Sequence, residues 1–202
     1  MARGCCTIAD SSEALEIVYR LRYHCYFRSR SIEARPDEKF SDAFDDTPNH
    51  FSFLLQSEVA QPLATVRISV VQPELGWTQS PARCVFGDHP AFEPLAAESY
   101  VEASRLCFGA PARRDLLMQL LGNMAAMADR HSSEWLVACP RLEYTAMYER
   151  LFGFRKLAGP RQYFGVTFQT QLLGTRRSEL REYVQRCKSM RESWTAALEE
   201  IG

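Results

Sequence analysis

Three charged residues stand inside segments that otherwise read as buried β-strand, and this limits the folds open to the chain more than any other feature. Arg67 interrupts Pro62–Val71, where Ala64, Val66, Ile68 and Val70 alternate with Leu63, Thr65, Arg67 and Ser69. Glu102 and Arg105 interrupt Ser99–Phe108. There, strict alternation sets Tyr100, Glu102, Ser104 and Leu106 on one face, and Val101, Ala103, Arg105 and Cys107 on the other. An ionised group removed from water is costly unless it is paired. The strands must therefore be arranged so that these charges find partners.

Partners are available in two other places. A helix opens near Asp10, read as its cap with Glu13 bonding back, and runs to about Phe27. Leu15, Val18, Leu21, Arg22 and Cys25 share one of its stripes, so Arg22 lies on or beside the buried face. Residues 28–50 are polar and irregular, broken by Pro36 and Pro48, and hold Asp42 and Asp45. So long a connection in a compact domain is often functional. The simplest arrangement brings Arg22, Asp42, Asp45, Arg67, Glu102 and Arg105 together. By the alternation, Arg105 should turn away from Glu102 and serve as a structural partner of Asp42 or Asp45.

The remaining elements fill in an α/β architecture. Phe51–Gln56 is a strand before Pro62–Val71, and residues 72–99, with several prolines and Trp77, read as a long loop over one end of the sheet. Arg114–Arg130 is an amphipathic helix with Leu117, Leu120, Leu121, Met124, Met127 and Ala128 on its apolar side. Trp135–Cys139 has the continuous apolar pattern of a strand buried on both faces. Arg141–Leu151 is a helix ended by Gly153, and Gly159-Pro160 separates two strand-like pieces, the second Tyr163–Leu173. A charged helix, Arg177–Ile201, closes the chain, with Leu180, Val184, Cys187 and Trp194 at helical spacing. Alternation of strands and helices predicts a mixed sheet with helices on both faces. The 202 residues suit one domain, with a core of about 10–173 followed by the C-terminal helix of about 177–201.

Composition excludes some functions. A net charge of −1 argues against a protein dominated by nucleic-acid binding. No stretch is long and apolar enough to span a bilayer, and Met1–Asp10 lacks a signal peptide's apolar run. The 7 cysteines form no CxxC and are odd in number, which points to a reducing, cytoplasmic setting. His24, His50, His89 and His131 show no metal-ligand spacing, so no metal is expected.

Val101-Glu102-Ala103-Ser104-Arg105-Leu106, preceded by Arg67 in a V-R-I strand, by Asp42-x-x-Asp45 and by Arg22, resembles the acyl-homoserine-lactone synthase pattern over roughly residues 15–160. It is more similar still to the N-acyl amino acid synthases. Both are GNAT-like acyltransferases, and the stretch Ala146–Phe154 is similar to a passage common in GNAT proteins. The resemblance implies a GNAT-like, mostly antiparallel mixed sheet with a splayed strand pair, here 99–108 and 135–139. It implies transfer of a long-chain fatty acyl group from the phosphopantetheine of an acyl-carrier protein to an amino-acid amine, with no other cofactor. The N-acyl amino acid formed would partition to membranes.

The chain departs from the lactone synthases at two points. Phe40 stands where they carry a glutamate two residues before the first aspartate, and residues 28–39 hold no tryptophan. Both elements help hold S-adenosylmethionine in that family, so their absence turns the expectation towards a plain amino acid. Residues 108–114 supply a single glycine instead of a Q/R-x-x-G-x-G/A phosphate loop, which suits a donor held by its carrier protein. A lactone synthase using S-adenosylmethionine, an acetyl-coenzyme A acetyltransferase and a non-catalytic acyl-binding module remain the alternatives.

Aminolysis of a thioester needs a base for the amine, donors for the oxyanion and an apolar channel for the acyl chain. Glu102 is the candidate base, directly or through water, given a raised pKa. Ser104, on the same face, is a candidate to protonate the thiolate or orient a water. Arg22, Asp42, Asp45, Arg67 and Arg105 are candidates to organise the acceptor, although a purely structural ion-pair network explains Arg22 and Arg105 equally well. Leu120, Met124 and Met127 are candidates for the acyl wall, and ordinary core is their default. Arg113, Arg114, Arg155, Lys156 and Arg161 are candidates for docking an acidic carrier protein.

Overall fold

The computed structural model describes residues 5–109, 114–186, 191, 192 and 195. Its centre is a seven-stranded sheet of order β1-β2-β3-β4-β5-β7-β6. The strands are β1 (Cys5–Ile8), β2 (His50–Gln56), β3 (Pro62–Val71), β4 (Tyr100–Phe108), β5 (Trp135–Ala138), β6 (Arg155–Gln162) and β7 (Gln169–Arg176). All neighbours are antiparallel except β4 and β5. The mostly antiparallel mixed sheet expected from the resemblance is present. β1 has no strong apolar alternation and is an addition to the expected strands.

Helices cover both faces. On the upper face lie α1 (Ser12–Arg28), α2 (Pro81–Phe86) and α3 (Glu93–Ala97), packed on residues such as Leu54, Cys107, Tyr100 and Val137. On the lower face lie α4 (Arg114–Arg130), α5 (Thr145–Phe152) and α6 (Arg177–Arg186), which enclose Val66, Ile68, Val101, Ala103 and Leu136. The expected α1 cap shifts by one residue. Ser11 adopts the extended cap conformation, and its hydroxyl accepts from the Ala14 N–H. Within 72–99, the Ser80 hydroxyl accepts from Arg83 N–H and Pro81 pre-sets the first turn, so α2 forms where the proline count suggested only loop. The expected helix at 141–151 begins as a 3-10 turn, Leu142–Tyr144, and becomes α-helical at Thr145. Gly159-Pro160 lies within β6 instead of separating two strands, and β7 starts six residues later than the expected Tyr163. Cys187 and Trp194 lie outside the described residues.

Two features of β4 position the site. First, β4 pairs with β5 only from Tyr100 to Ala103, opposite Trp135 to Ala138, while it stays paired with β3 to Phe108. Beyond Ala103 the two strands part, with the next backbone drawn to β7 by a Gln171 N–H bond to the Pro140 carbonyl. This is the splayed pair. Second, the β3–β4 register jumps from Arg67↔Ser104 to Thr65↔Cys107, so Arg105 and Leu106 together oppose Val66. Arg105 has φ 55, a conformation that L-residues rarely adopt. It is a β-bulge, and a bulge shifts every later side chain to the other face.

The alternation read from sequence therefore fails after Ser104. Leu106 packs into the lower core and Cys107 beneath α1, the reverse of expectation. Arg105, expected to turn away from Glu102, instead joins the upper face with it.

Candidate active site

The upper face of the sheet is built as successive rungs, because directly opposed residues on neighbouring strands project to the same side. One rung is Ser52 on β2, Arg67 on β3 and Ser104 on β4. The next is His50, Ser69 and Glu102. The first rung is the floor of an ion-pair cluster. Arg67 Nη1 lies 2.6 Å from Asp42 Oδ1 and 3.2 Å from Asp45 Oδ1, and its Nε donates to Ser104 Oγ at 3.1 Å. Arg22 reaches in from α1 to Asp45 at 2.8 Å and to Ser52 Oγ at 2.8 Å. Arg105 closes the cluster on Asp42 at 2.7 Å.

Five of the six charged residues expected to come together, Arg22, Asp42, Asp45, Arg67 and Arg105, thus meet, and Glu102 does not join them. The three arginines are buried, and the segment 42–45 is folded over them by its own aspartates. Asp45 Oδ2 accepts from the Asp42 N–H, and Asp42 Oδ1 from the Phe44 N–H. Burial pushes both aspartates up, but the arginines outweigh it. Asp42 and Asp45 are held below the usual carboxylate range. Aromatic rings wrap the outer end, with Phe40 4.3 Å from the Arg105 guanidinium and Tyr26, Tyr163 and Phe164 around it.

Glu102 stands apart from this network. Its side chain is fully buried, and its Oε2 accepts from the Ala82 N–H of α2 at 2.8 Å, while Tyr163 Oη donates to Oε1 at 3.4 Å. Desolvation raises its pKa to about 7, against the opposing pull of the Ala82 N–H, Ser80, Arg67 and Tyr163. A carboxyl poised there is suited to accept a proton at neutral pH. Ser80, Ala82 and Tyr163 were not legible as site residues. Their signal was the capping pattern Ser80-Pro81 and an aromatic pair, Tyr163-Phe164, in what read as plain strand.

The strands part immediately beyond Glu102. Cys139, the next upper-face position after Val137, is half-buried at this opening. Tyr148 of α5 is buried in the apolar lower layer. Leu120 and Met124 are buried in that lower layer, on the opposite side of the sheet from Glu102. Met124 also lines an apolar crevice with Leu136, Phe152, Phe154, Leu180 and Val184.

Of the basic residues expected to dock a partner, Arg155, Lys156 and Arg161 share the edge strand β6. Arg155 pairs with Glu179 at 3.0 Å, Arg161 pairs with Asp88, and Lys156 stays exposed. Arg114 opens α4 and is exposed, whereas Arg113 and the rest of the 110–113 segment lie outside the described residues. Among the described residues no cluster of His, Cys, Asp and Glu is fit to hold a metal, and no helix is long and apolar enough to cross a membrane.

Comparison with known proteins agrees with this geometry. No curated protein sequence matches the chain. Among solved structures, FeeM, an N-acyl amino acid synthase from uncultured soil microbes, superposes with a TM-score of 0.74 at 13% identity, covering 91% of this chain and 96% of that one. The AHL synthase LasI gives 0.61 at 16% identity, covering 88% and 91%. A putative N-acetyltransferase from Lactobacillus plantarum gives 0.59 at 16%, covering 86% and 98%. These likenesses establish the GNAT-like fold. The family profile described as N-acyl amino acid synthase FeeM matches residues 17–176, and the chain belongs to that family.

Proposed function

We propose that the protein transfers a long-chain fatty acyl group from the phosphopantetheine thioester of an acyl-carrier protein to the amine of an amino acid. Glu102 carries this reading: a buried carboxyl, pKa about 7, at the point where β4 and β5 separate. With the thioester carbonyl in the opening, the acceptor amine attacks its carbon. The N–C bond forms as the C–S bond breaks, Glu102 takes the proton from nitrogen, and the thiolate leaves as thiol by receiving a proton. Ser104 is held by Arg67 and is a positioning group for that last transfer. Backbone N–H groups of β4 beyond Ala103, where pairing with β5 has ended, suit the oxyanion.

An apolar acyl chain entering the opening would be directed to the lower layer, where Met124 and its neighbours are adaptable apolar wall. The ion-pair cluster keeps its charges for itself and acts as the frame of the acceptor side. Phe40 supports an amino acid over S-adenosylmethionine. Its ring is spent on Arg105, and no carboxylate stands there to meet a sulfonium. Carrier-protein dependence would use exposed cations such as Arg114 and Lys156.

The test is a thiol-release assay with long-chain acyl-carrier protein and each of the twenty amino acids, with product mass spectrometry. An N-acyl amino acid is expected, and Glu102→Gln should abolish most of it. Thiol release with none of the twenty would overturn the proposal. Release dependent on S-adenosylmethionine would reassign the acceptor.

A further inference from the structure

Two polar atoms in the Glu102 rung have no partner. Ser69 Oγ and His50 Nε2 are both buried, and neither makes a hydrogen bond. Ser69 itself is 0% exposed. Buried polar atoms are almost always satisfied, and exceptions call for an explanation. Here the explanation is set by register, because His50 opposes Ser69 and Ser69 opposes Glu102.

The imidazole tautomer follows from its neighbours. Asn49 Nδ2 donates to the carbonyls of Val70 and Gln79, so Asn49 Oδ1 faces His50 Nδ1 as an acceptor. Thr47 donates its hydroxyl proton to the Phe44 carbonyl, so its oxygen also accepts from Nδ1. Nδ1 therefore carries the proton, and Nε2 presents a lone pair. Desolvation and Arg67 push the His50 pKa down to about 4, which keeps the ring neutral.

Strands two apart are separated by about 10 Å. The short serine between histidine and glutamate therefore sets three acceptors along one rung: Nε2, Oγ and a Glu102 oxygen. Phe44 lies at the histidine end, its ring tilted against His50 at 5.2 Å and 5.5 Å from the Arg67 guanidinium. Resting on the reading that this is an N-acyltransferase, we propose that Ser69 Oγ and His50 Nε2 share one N–H group of the neutral primary amine acceptor while its other N–H faces Glu102. The nitrogen lone pair then stays clear of all three acceptors and attacks the thioester carbon. As the N–C bond forms and the C–S bond breaks, Glu102 takes the proton that faces it, and the second N–H stays tethered as the amide N–H. The site is thereby selective for primary over N-methylated amines, since an N-methyl amine has only the N–H that Glu102 takes and leaves the buried acceptors unmatched.

The experiment compares kcat/KM for the best amino acid and its N-methyl form in the wild type, Ser69→Ala and His50→Phe. The wild type should prefer the primary amine by about tenfold or more, the worth of one hydrogen bond. Each variant should lose most of that preference, with KM for the acyl donor unchanged. Thermal melting checks that both variants are folded. Should the wild type transfer no acyl group to any amino acid, the catalytic reading fails, and the amine site is then read directly. The Nε2 resonance of His50 in nitrogen-15 NMR should shift on titration with the twenty amino acids, and this shift should weaken in Ser69→Ala. An unchanged primary to N-methyl ratio in the active enzyme, or no Nε2 shift with any amino acid in an inactive one, would overturn the proposal.

Discussion

Glu102 and Asp42 are buried or half-buried carboxylates above adjacent rungs of the same sheet face, yet their protons behave oppositely. Asp42 lies between two guanidiniums and is held well below the usual carboxylate range despite the burial that raises it. Glu102 meets an N–H and a phenol but no cation in contact, and burial drives it up to about 7. A cation within hydrogen-bond distance is thus the whole difference between a carboxylate that frames a site and one that can exchange a proton in it. Cys107 and Leu54 under Val18 of α1, by comparison, are ordinary apolar packing on the same face.

The contrast can be broken most severely at Glu102. Glu102→Gln should lower kcat by about 100-fold to 10,000-fold while leaving the melting temperature equal or higher, because an amide is easier to bury than a carboxylate. Steady-state thiol release with parallel melting curves checks both. Asp42→Asn should do the reverse, destabilising by about 3 kcal/mol as two buried arginines lose their shared partner, measured by denaturant titration.

pH sharpens the same comparison with opposite signs. The pKa of Glu102 is raised above its ordinary 4.5 on folding, so the protonated form is favoured in the native state. Its contribution to stability is full below about 4.5 and is lost as pH rises through about 7. The wild type should therefore lose stability relative to Glu102→Gln between those values, while kcat climbs over the upper part of the window. The pKa of Asp42 is depressed, so its contribution is present above the ordinary 3.8 and fades as pH falls below it. The stability gap between wild type and Asp42→Asn should narrow in acid. Parallel slopes for the two pairs of proteins would break the distinction.

The smallest effect probes the bulge alone. At φ 55, glycine is relaxed and alanine strained, so Arg105→Gly should be more stable than Arg105→Ala by about 1 kcal/mol. Equal unfolding free energies would show that the ion pair with Asp42, not the backbone, governs that position.

Much of this is legible in the sequence. A charge set in an apolar alternation at Arg67 and Glu102 must be satisfied by something, and the acids at Asp42 and Asp45 were the available partners for the arginines. What failed is equally specific. Alternation assumes an unbroken ladder, and the extra residue at Arg105 breaks it, so Arg105, Leu106 and Cys107 all face opposite to their simple periodicity. Tyr163 and the Ala82 N–H reach Glu102 from 61 and 20 residues away in sequence, and neither carries a local mark of doing so. Leu120 and Met124 read correctly as an apolar stripe, but periodicity within a helix does not state which face of the sheet it covers.

The sequence by itself determined the strands, the helices, the family pattern and the need for buried charges to pair, because these follow from local periodicity and the penalty for desolvating an ion. Only the tertiary structure decided which carboxylate would be left without a cation. That choice depends on the register of β3 against β4 and on a single bulge, which swing Arg105 towards Asp42 and leave Glu102 beside Ser69 and His50 at the opening of the sheet.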